Sequence, residues 1–245
     1  MQGSQQQQAY DRGITIFSPD GRLYQVEYAR EAVKRGSASV GVRTEEGVVL
    51  AADRQTRSPL IERESIEKTH KVDGHIAIAS AGHVADARKL IDFARRRAQI
   101  NRLRYDEPMG VEALTKAITD TIQEFTQTGG ARPFGVALIV GGIEDGKPRL
   151  FETDPSGTPY EWQALAIGGG RETIQEYLEE NYEDGLTLEQ GVDLALEAIA
   201  ESKDGTLDPA GVDLQTVDEE GVRGLTQDVI EEHLEDRDLL GGEEE

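Results

Sequence analysis

The chain of 245 residues contains no cysteine, and that one absence removes disulfides, thiol nucleophiles and cysteine-ligated metal sites together. Aromatic residues make up only 5% of it, so a core must be built from aliphatic side chains. Lysine is scarce as well: seven stand against nineteen arginines and 48 acidic residues, for a formal net charge of −22. There is no long basic block, which excludes a protein that grips a phosphate backbone. No apolar run approaches membrane length, and the start MQGSQQQQAY lacks the charged-then-apolar plan of a secretion signal. The sequence therefore predicts a cytoplasmic protein with neither nucleic acid nor membrane among its partners. Abundant acid with little lysine suits a soluble protein of a high-salt cytoplasm, where screening tolerates the charge; an ordinary acidic protein is the alternative. His70, His75, His83 and His233 have no zinc spacing, and neither metal nor other cofactor is expected.

What is present is clear periodicity. The glutamine-rich residues 1–9 predict a mobile tail, and 241–245 an acidic one. SPDG supplies a helix entrance, with Ser18 as N-cap and Pro19 at the first helical position; Leu23, Val26, Ala29 and Val33 follow at helical spacing up to Gly36. From Ser37 the period changes, and SASVGVRT and GVVLAADR flank a turn at Glu45-Glu46-Gly47 as a β-hairpin. GHIAIASAG reads as a strand. Helical stripes follow at Val84, Ala87, Ile91, Ala94 and Ala98, then at Leu114, Ile118, Ile122 and Phe125. PFGVALIVGGI, PRLFETD and YEWQALAIGGG read as three strands, with Trp162 a packing residue in the last. A second helical pair carries Ile174, Leu178 and Tyr182, then Leu188, Val192, Ala195 and Ile199; a hairpin over VDLQTVDEEGVRGL and a helix over TQDVIEEHLED close the chain. Helices arriving in pairs between runs of strands argue against βαβ alternation. The fold class expected is α+β, a four-layer αββα sandwich with an extra N-terminal helix, forming one domain over residues 10–240. AIGGG lacks the lysine and hydroxyl of a phosphate loop and reads as a helix entrance.

The hairpin carries the chemical question. A hydroxyl freed at a chain terminus has its own α-amine beside it as a base, near pKa ~8. Such a site needs a cleavable residue before the hydroxyl, an acid and a lysine. Gly36-Ser37, Asp53 and Lys68 stand in that order. The alternatives are an autoprocessing peptidase with Ser37 as nucleophile, or a relative that kept the hairpin without the chemistry.

In these residues the chain resembles the proteasome superfamily of N-terminal-nucleophile hydrolases, whose catalytic β-type subunits free a threonine where this chain has Ser37. The segment YDRGITIFSPDGRLYQVEYAREAVKRG, residues 10–36, closely resembles the N-terminal signature of the α-type subunits. The likeness continues through SIEKTHKVDGHIAIASAGHVADARKLIDFAR and FTQTGGARPFGVALIVGGIEDGKPRLFETDPSG to about Leu240, and the archaeal form fits the acidic composition. A capped amphipathic helix before the hairpin suits a permanent part rather than a removable propeptide. With a peptide bond on its amino side, Ser37 has no terminal amine to serve as base.

The resemblance implies a non-catalytic subunit of the outer seven-membered rings of a 20S core particle. Its partners would be other α subunits, catalytic β subunits, unfolded protein substrates and an activating AAA ATPase that docks by its C-terminal tail. Tyr10, Asp11 and Arg12 match the gate segment, and Pro19 and Tyr28 complete the cluster that holds an open gate; Tyr28 as a core aromatic and Pro19 as a helix start are the plainer readings. Gly36 and Lys68 match the pocket that takes the activator's tail, with Glu27 and Arg30 at its rim or forming only an exposed ion pair. His83 stands at a pocket position where leucine is common. Thr128, Gly129, Gly130, Ala131 and Arg132 match the pore constriction, with Thr128 where an aromatic is often found; an ordinary turn is the alternative for the two glycines.

Overall fold

The architecture is that of a computed structural model, which describes residues 23–54, 56, 58, 60–128, 131–203 and 205–241. Helix α1 (Tyr24–Lys34) leads into strands β1 (Ser39–Arg43) and β2 (Val48–Asp53), then β3 (Thr69–Asp73) and β4 (Ile76–Gly82). Helices α2 (Val84–Tyr105) and α3 (Val111–Gln127) follow, then β5 (Val136–Glu144), β6 (Lys147–Thr153), β7 (Pro159–Glu161) and β8 (Ala164–Ile167). Helices α4 (Arg171–Asn181) and α5 (Leu188–Glu201), strands β9 (Val212–Asp218) and β10 (Gly221–Gly224), and α6 (Gln227–Asp236) complete the order.

The strands form two five-stranded sheets, ordered β10-β9-β2-β1-β8 and β3-β4-β5-β6-β7. Each named pairing is antiparallel. The inner faces meet in a core of Val48, Leu50, Ala79, Ile139, Leu150, Leu165, Ile167 and Val217. Burying each large aliphatic chain there is worth roughly 1.5–3 kcal/mol, and these contacts replace the aromatic mass the sequence lacks. The outer face of the first sheet is covered by α4, α5 and α6 through Ile174, Leu178, Val192, Ile199, Ile230 and Leu234. The outer face of the second is covered by α2 and α3 through Leu90, Ile91, Ala94, Leu114, Ile118 and Ile122. The sandwich is therefore αββα, as its periodicities predict.

Local chemistry explains the joints. The β1–β2 turn closes where Thr44 N–H donates to the Gly47 carbonyl (2.8 Å) and Gly47 N–H to Thr44 Oγ1 (3.0 Å). α5 opens on a capping box, Thr187 and Gln190 each satisfying the other's backbone N–H. AIGGG is a helix entrance, with Gly170 as the N-cap of α4.

Four details differ from the sequence reading. The leading helix begins at Tyr24 with Leu23 extended as its N-cap, downstream of the SPDG entrance; Ser18 and Pro19 lie outside the described residues. YEWQALAIGGG is two strands, β7 edging the second sheet and β8 edging the first, and the chain crosses between sheets at Trp162 and Gln163. Trp162 thus sits between strands, packed partly against the inter-sheet core. Val84 opens its helix in solvent, 64% exposed, and Leu90 joins the buried stripe. β3 is a short edge strand with a register shift between Lys71 and Asp73, too irregular to show as an alternation.

Candidate functional site at the Gly36–Ser37 turn

The end of α1 and the start of β1 meet both sheets at one turn. A Cβ on Gly36 would stand 2.4 Å from the Gly82 nitrogen, so only glycine lets the two backbones pass. The Gly36 carbonyl accepts the Gly169 N–H at 2.7 Å. Ser37 follows directly, its backbone continuous with the helix.

The structure brings the three residues anticipated from chain order together at Ser37, but Asp53 meets the hydroxyl through its backbone carbonyl and turns its carboxylate to Lys203. Ser37 Oγ donates to the Asp53 carbonyl (2.7 Å), and Lys68 Nζ lies 3.0 Å from Ser37 Oγ. Three further residues complete the cluster. Lys203 Nζ pairs with Asp53 Oδ1 at 2.6 Å. Asp213 Oδ2 accepts the Lys68 and Thr69 N–H groups, each at 2.8 Å, while Arg54 Nη2 lies 3.0 Å from Asp213 Oδ1. Burial lowers Lys68 from 10.5 to about 8, with Asp53 and Asp213 pulling it back up. The arrangement supplies a hydroxyl, a lysine of reduced basicity and paired carboxylates. It lacks a terminal amine at Ser37, because α1 and Gly36 precede that residue. Asp213 was legible in principle: with Val217 facing the inter-sheet core and Val212 and Leu214 facing the helices, alternation puts Asp213 on the inner face. Lys203, beyond the end of α5, carried no such signal.

The residues expected to line a docking pocket lie near the same turn. Lys68 is 8% exposed, so its ammonium lies beneath the surface on Ser37 rather than upon it. His83 is the N-cap of α2, its side chain 57% exposed and its N–H bonded to the Gly135 carbonyl at 2.8 Å. On α1, Arg30 pairs with Glu27 at 2.7 Å and with Asp154 at 2.8 Å, tying the helix to the turn after β6. Tyr28 is exposed on the same helix rather than part of the core. Gly36, Lys68 and His83 therefore lie around one turn, Lys68 against Ser37 and His83 next to Gly82, while Glu27 and Arg30 stand earlier on α1.

At the end of α3, Thr128 is the extended C-cap, and Ala131 N–H returns to its carbonyl at 3.2 Å. Arg132 forks onto Asp86 in the first turn of α2. Gly129 and Gly130, and Tyr10, Asp11, Arg12 and Pro19, which were expected to form a gate, lie outside the described residues. The four histidines occupy separate places: His70 is buried, its pKa lowered by burial; His75 bonds the Met109 carbonyl; His233 bonds Asp193. Among the described residues no helix is long and apolar enough to cross a membrane.

An αββα sandwich whose leading hairpin starts at a hydroxyl residue backed by an aspartate and a lysine has the layout of N-terminal-nucleophile hydrolases. Residues 33–217 match the model of the proteasome subunit family, and residues 10–32 match the N-terminal signature of its A-type members. The chain belongs to the proteasome subunit family, on its α-type side. It is 70% identical to the proteasome subunit alpha of Natronomonas pharaonis, over 100% of this chain and 97% of that one. It is also 70% identical to proteasome subunit alpha 2 of Haloarcula marismortui, over 100% of both chains. To proteasome subunit alpha 1 of Haloferax volcanii it is 68% identical, over 100% of this chain and 98% of the other.

Proposed function

We propose that this chain is a non-catalytic α-type subunit that builds the outer seven-membered ring of a 20S core particle in the cytoplasm of a salt-adapted archaeon. One observation carries the reading: Ser37 stands at the nucleophile position with helix α1 and Gly36 joined to its amino side, so the base that a terminal hydroxyl would use is a peptide nitrogen. Peptide-bond hydrolysis then resides in β subunits stacked on this ring. Residues 10–240 act as one domain between the tails 1–9 and 241–245.

In this reading Tyr10, Asp11, Arg12, Pro19 and Tyr28 form the gate to the chamber, and Thr128, Gly129, Gly130, Ala131 and Arg132 the constriction below it. Gly36, Lys68 and His83, with Glu27 and Arg30 at the rim, receive the C-terminal tail of an AAA ATPase that delivers unfolded protein. Burial of Lys68 gives it a particular part in docking. Its positive charge reaches a tail carboxylate from beneath the Gly36–Ser37 turn, while that turn supplies the contact surface.

Co-expression with a catalytic β subunit tests the reading. The expected result is a larger particle that hydrolyses peptides, in which intact mass finds this chain with residues before Ser37 retained. A species beginning at Ser37 would establish the peptidase alternative, which the 3.0 Å contact between Lys68 and Ser37 makes worth testing. A ring that forms no active particle with any β subunit would leave a free-standing scaffold instead. Removing residues 1–12 should speed degradation of an unfolded protein by the particle and leave hydrolysis of a very short peptide unchanged; equal protein degradation would remove the gating role.

A further inference from the structure

Asp86 stands in the first turn of α2 with its side chain 3% exposed, and its carboxylate is bound from outside its own helix. Arg132 grips it with both ends of the guanidinium, Nη1 to Oδ2 at 2.6 Å and Nη2 to Oδ1 at 2.8 Å. Oδ2 also accepts the Gly135 N–H at 2.9 Å. Burial alone would raise this carboxyl, but the bonds from Arg132 and Gly135 hold it below its usual value, so it stays charged.

Gly135 in turn touches the docking edge. Its carbonyl accepts the His83 N–H at 2.8 Å, and a Cβ on Gly82, at φ +115°, would meet that same carbonyl at 2.4 Å. A Cβ on Gly135 would lie 3.3 Å from the Ala32 Cβ of α1. Gly82 is also the residue whose backbone nitrogen forbids a side chain on Gly36. A continuous path of backbone contacts therefore runs from Gly36 through Gly82 and Gly135 to Asp86, and from there through a two-pronged bond to Arg132, beside Ala131. Contacts between glycine backbones have no side chain that can yield, and a forked guanidinium–carboxylate pair has one geometry.

We propose that Asp86 is a positioning residue that couples the docking edge at Gly36 and His83 to the pore segment at Ala131 and Arg132. A ligand that displaces the Gly36 turn moves Gly82 and Gly135, and the fork on Asp86 carries that displacement to Arg132. This inference rests on the docking and pore roles proposed above.

The test uses the assembled particle with its β subunits. The probe is a synthetic peptide with the sequence of the ATPase C-terminal tail and a free carboxylate, and the readout is hydrolysis of a fluorogenic peptide whose entry is slowed by the closed gate and the constriction below it. In Asp86→Asn and Arg132→Met, the probe should half-saturate within about two-fold of its wild-type concentration. Maximal stimulation should fall at least about five-fold, the low end of coupling between sites. The double variant should be no worse than either single one, since both break the same bond. Arg132→Lys, which keeps the charge but loses the fork, should recover part of the stimulation. Arg132 is 60% exposed, so Arg132→Met decides the question if Asp86→Asn does not assemble. Unchanged maximal stimulation in Arg132→Met overturns the coupling, as does a loss of probe affinity with the maximum intact. If the wild-type particle is not stimulated at all, the docking reading falls and the coupling with it. If it is stimulated and the variants equal it, the coupling alone falls.

Discussion

Asp213 and Asp86 lie on either side of the Gly36 turn and are bound by the same kinds of group. Each carboxylate accepts backbone N–H bonds from a neighbouring segment, Lys68 and Thr69 for Asp213 and Gly135 for Asp86, and each is paired with one arginine. They differ in where the arginine stands. Arg54 is 15% exposed and closes a cluster that also holds Lys68, Ser37 and Asp53, whereas Arg132 is 60% exposed and leads back to the loop after α3. The same bonding serves two ends: around Asp213 it seals the place of a hydrolase nucleophile into the wall, and around Asp86 it tethers a surface segment that remains reachable from outside.

The sharpest way to break this comparison is to remove the buried partner. Asp213→Ala strands two backbone donors and the Arg54 charge, so it should cost about 3–5 kcal/mol of stability in guanidinium unfolding at constant salt. Arg132→Met takes one partner from a buried carboxylate but leaves Asp86 the Gly135 N–H, so it should cost less than Asp213→Ala, about 1–3 kcal/mol. Equal losses would mean that the two clusters are equally closed.

The pH dependence of Lys68 comes next. Burial takes it from 10.5 to about 8, with Asp53 and Asp213 opposing. Between those two values the unfolded chain holds the proton and the folded chain does not, so stability rises as pH is raised from about 8 towards 10.5. Over the whole window the contribution is on the order of 3 kcal/mol. Lys68→Met should remove that part of the slope, measured by unfolding at stepped pH. An unchanged slope would show that the ammonium is hydrated, and that the cluster is open like the Asp86 side.

Much of this was legible in the sequence, for physical reasons. Ser37 and Asp53 could be anticipated together, because a hairpin brings its two ends together whatever lies between; Lys68, just ahead of β3, lies beyond the hairpin and was anticipated only as the lysine that such a site needs. The helix pairs were legible from their apolar stripes. The crossing at Trp162 was not, since β7 and β8 are only three and four residues long, with no glycine, proline or asparagine between them to mark a break. Neither was the fork on Asp86: its partner is 46 residues away, and an aspartate in the first turn of a helix reads as a dipole contact and nothing more. Arg132 fell in the segment expected to match a pore constriction, and nothing there showed what it holds.

Gly36→Ala probes the turn that separates the two clusters. The new Cβ would fall 2.4 Å from a backbone nitrogen that cannot rotate away, so the turn must shift at a cost of about 1–3 kcal/mol. Unfolding of the variant would measure this. A value near zero would show that Gly36 and Gly82 separate freely, and the proposed path from the Gly36 turn to Asp86 would lose its first contact.

The smallest effect expected is at a third arginine–aspartate pair. Arg30 is 43% exposed and lies 2.8 Å from Asp154, whose side chain is 18% exposed. Asp154 Oδ1 also accepts the N–H groups of Ser156 and Thr158 and the Ser156 hydroxyl, so losing the arginine frees only Oδ2, on a side chain that water reaches. Arg30→Gln should therefore cost less than about 1 kcal/mol. The loss should shrink as KCl is raised towards ~1 M, where charges are screened within ~3 Å. Asp213→Ala should keep its cost across the same titration, because its partners are out of reach of salt. A salt-independent loss at Arg30 would place that pair with the closed cluster, and exposure of the arginine would no longer separate the two kinds of site.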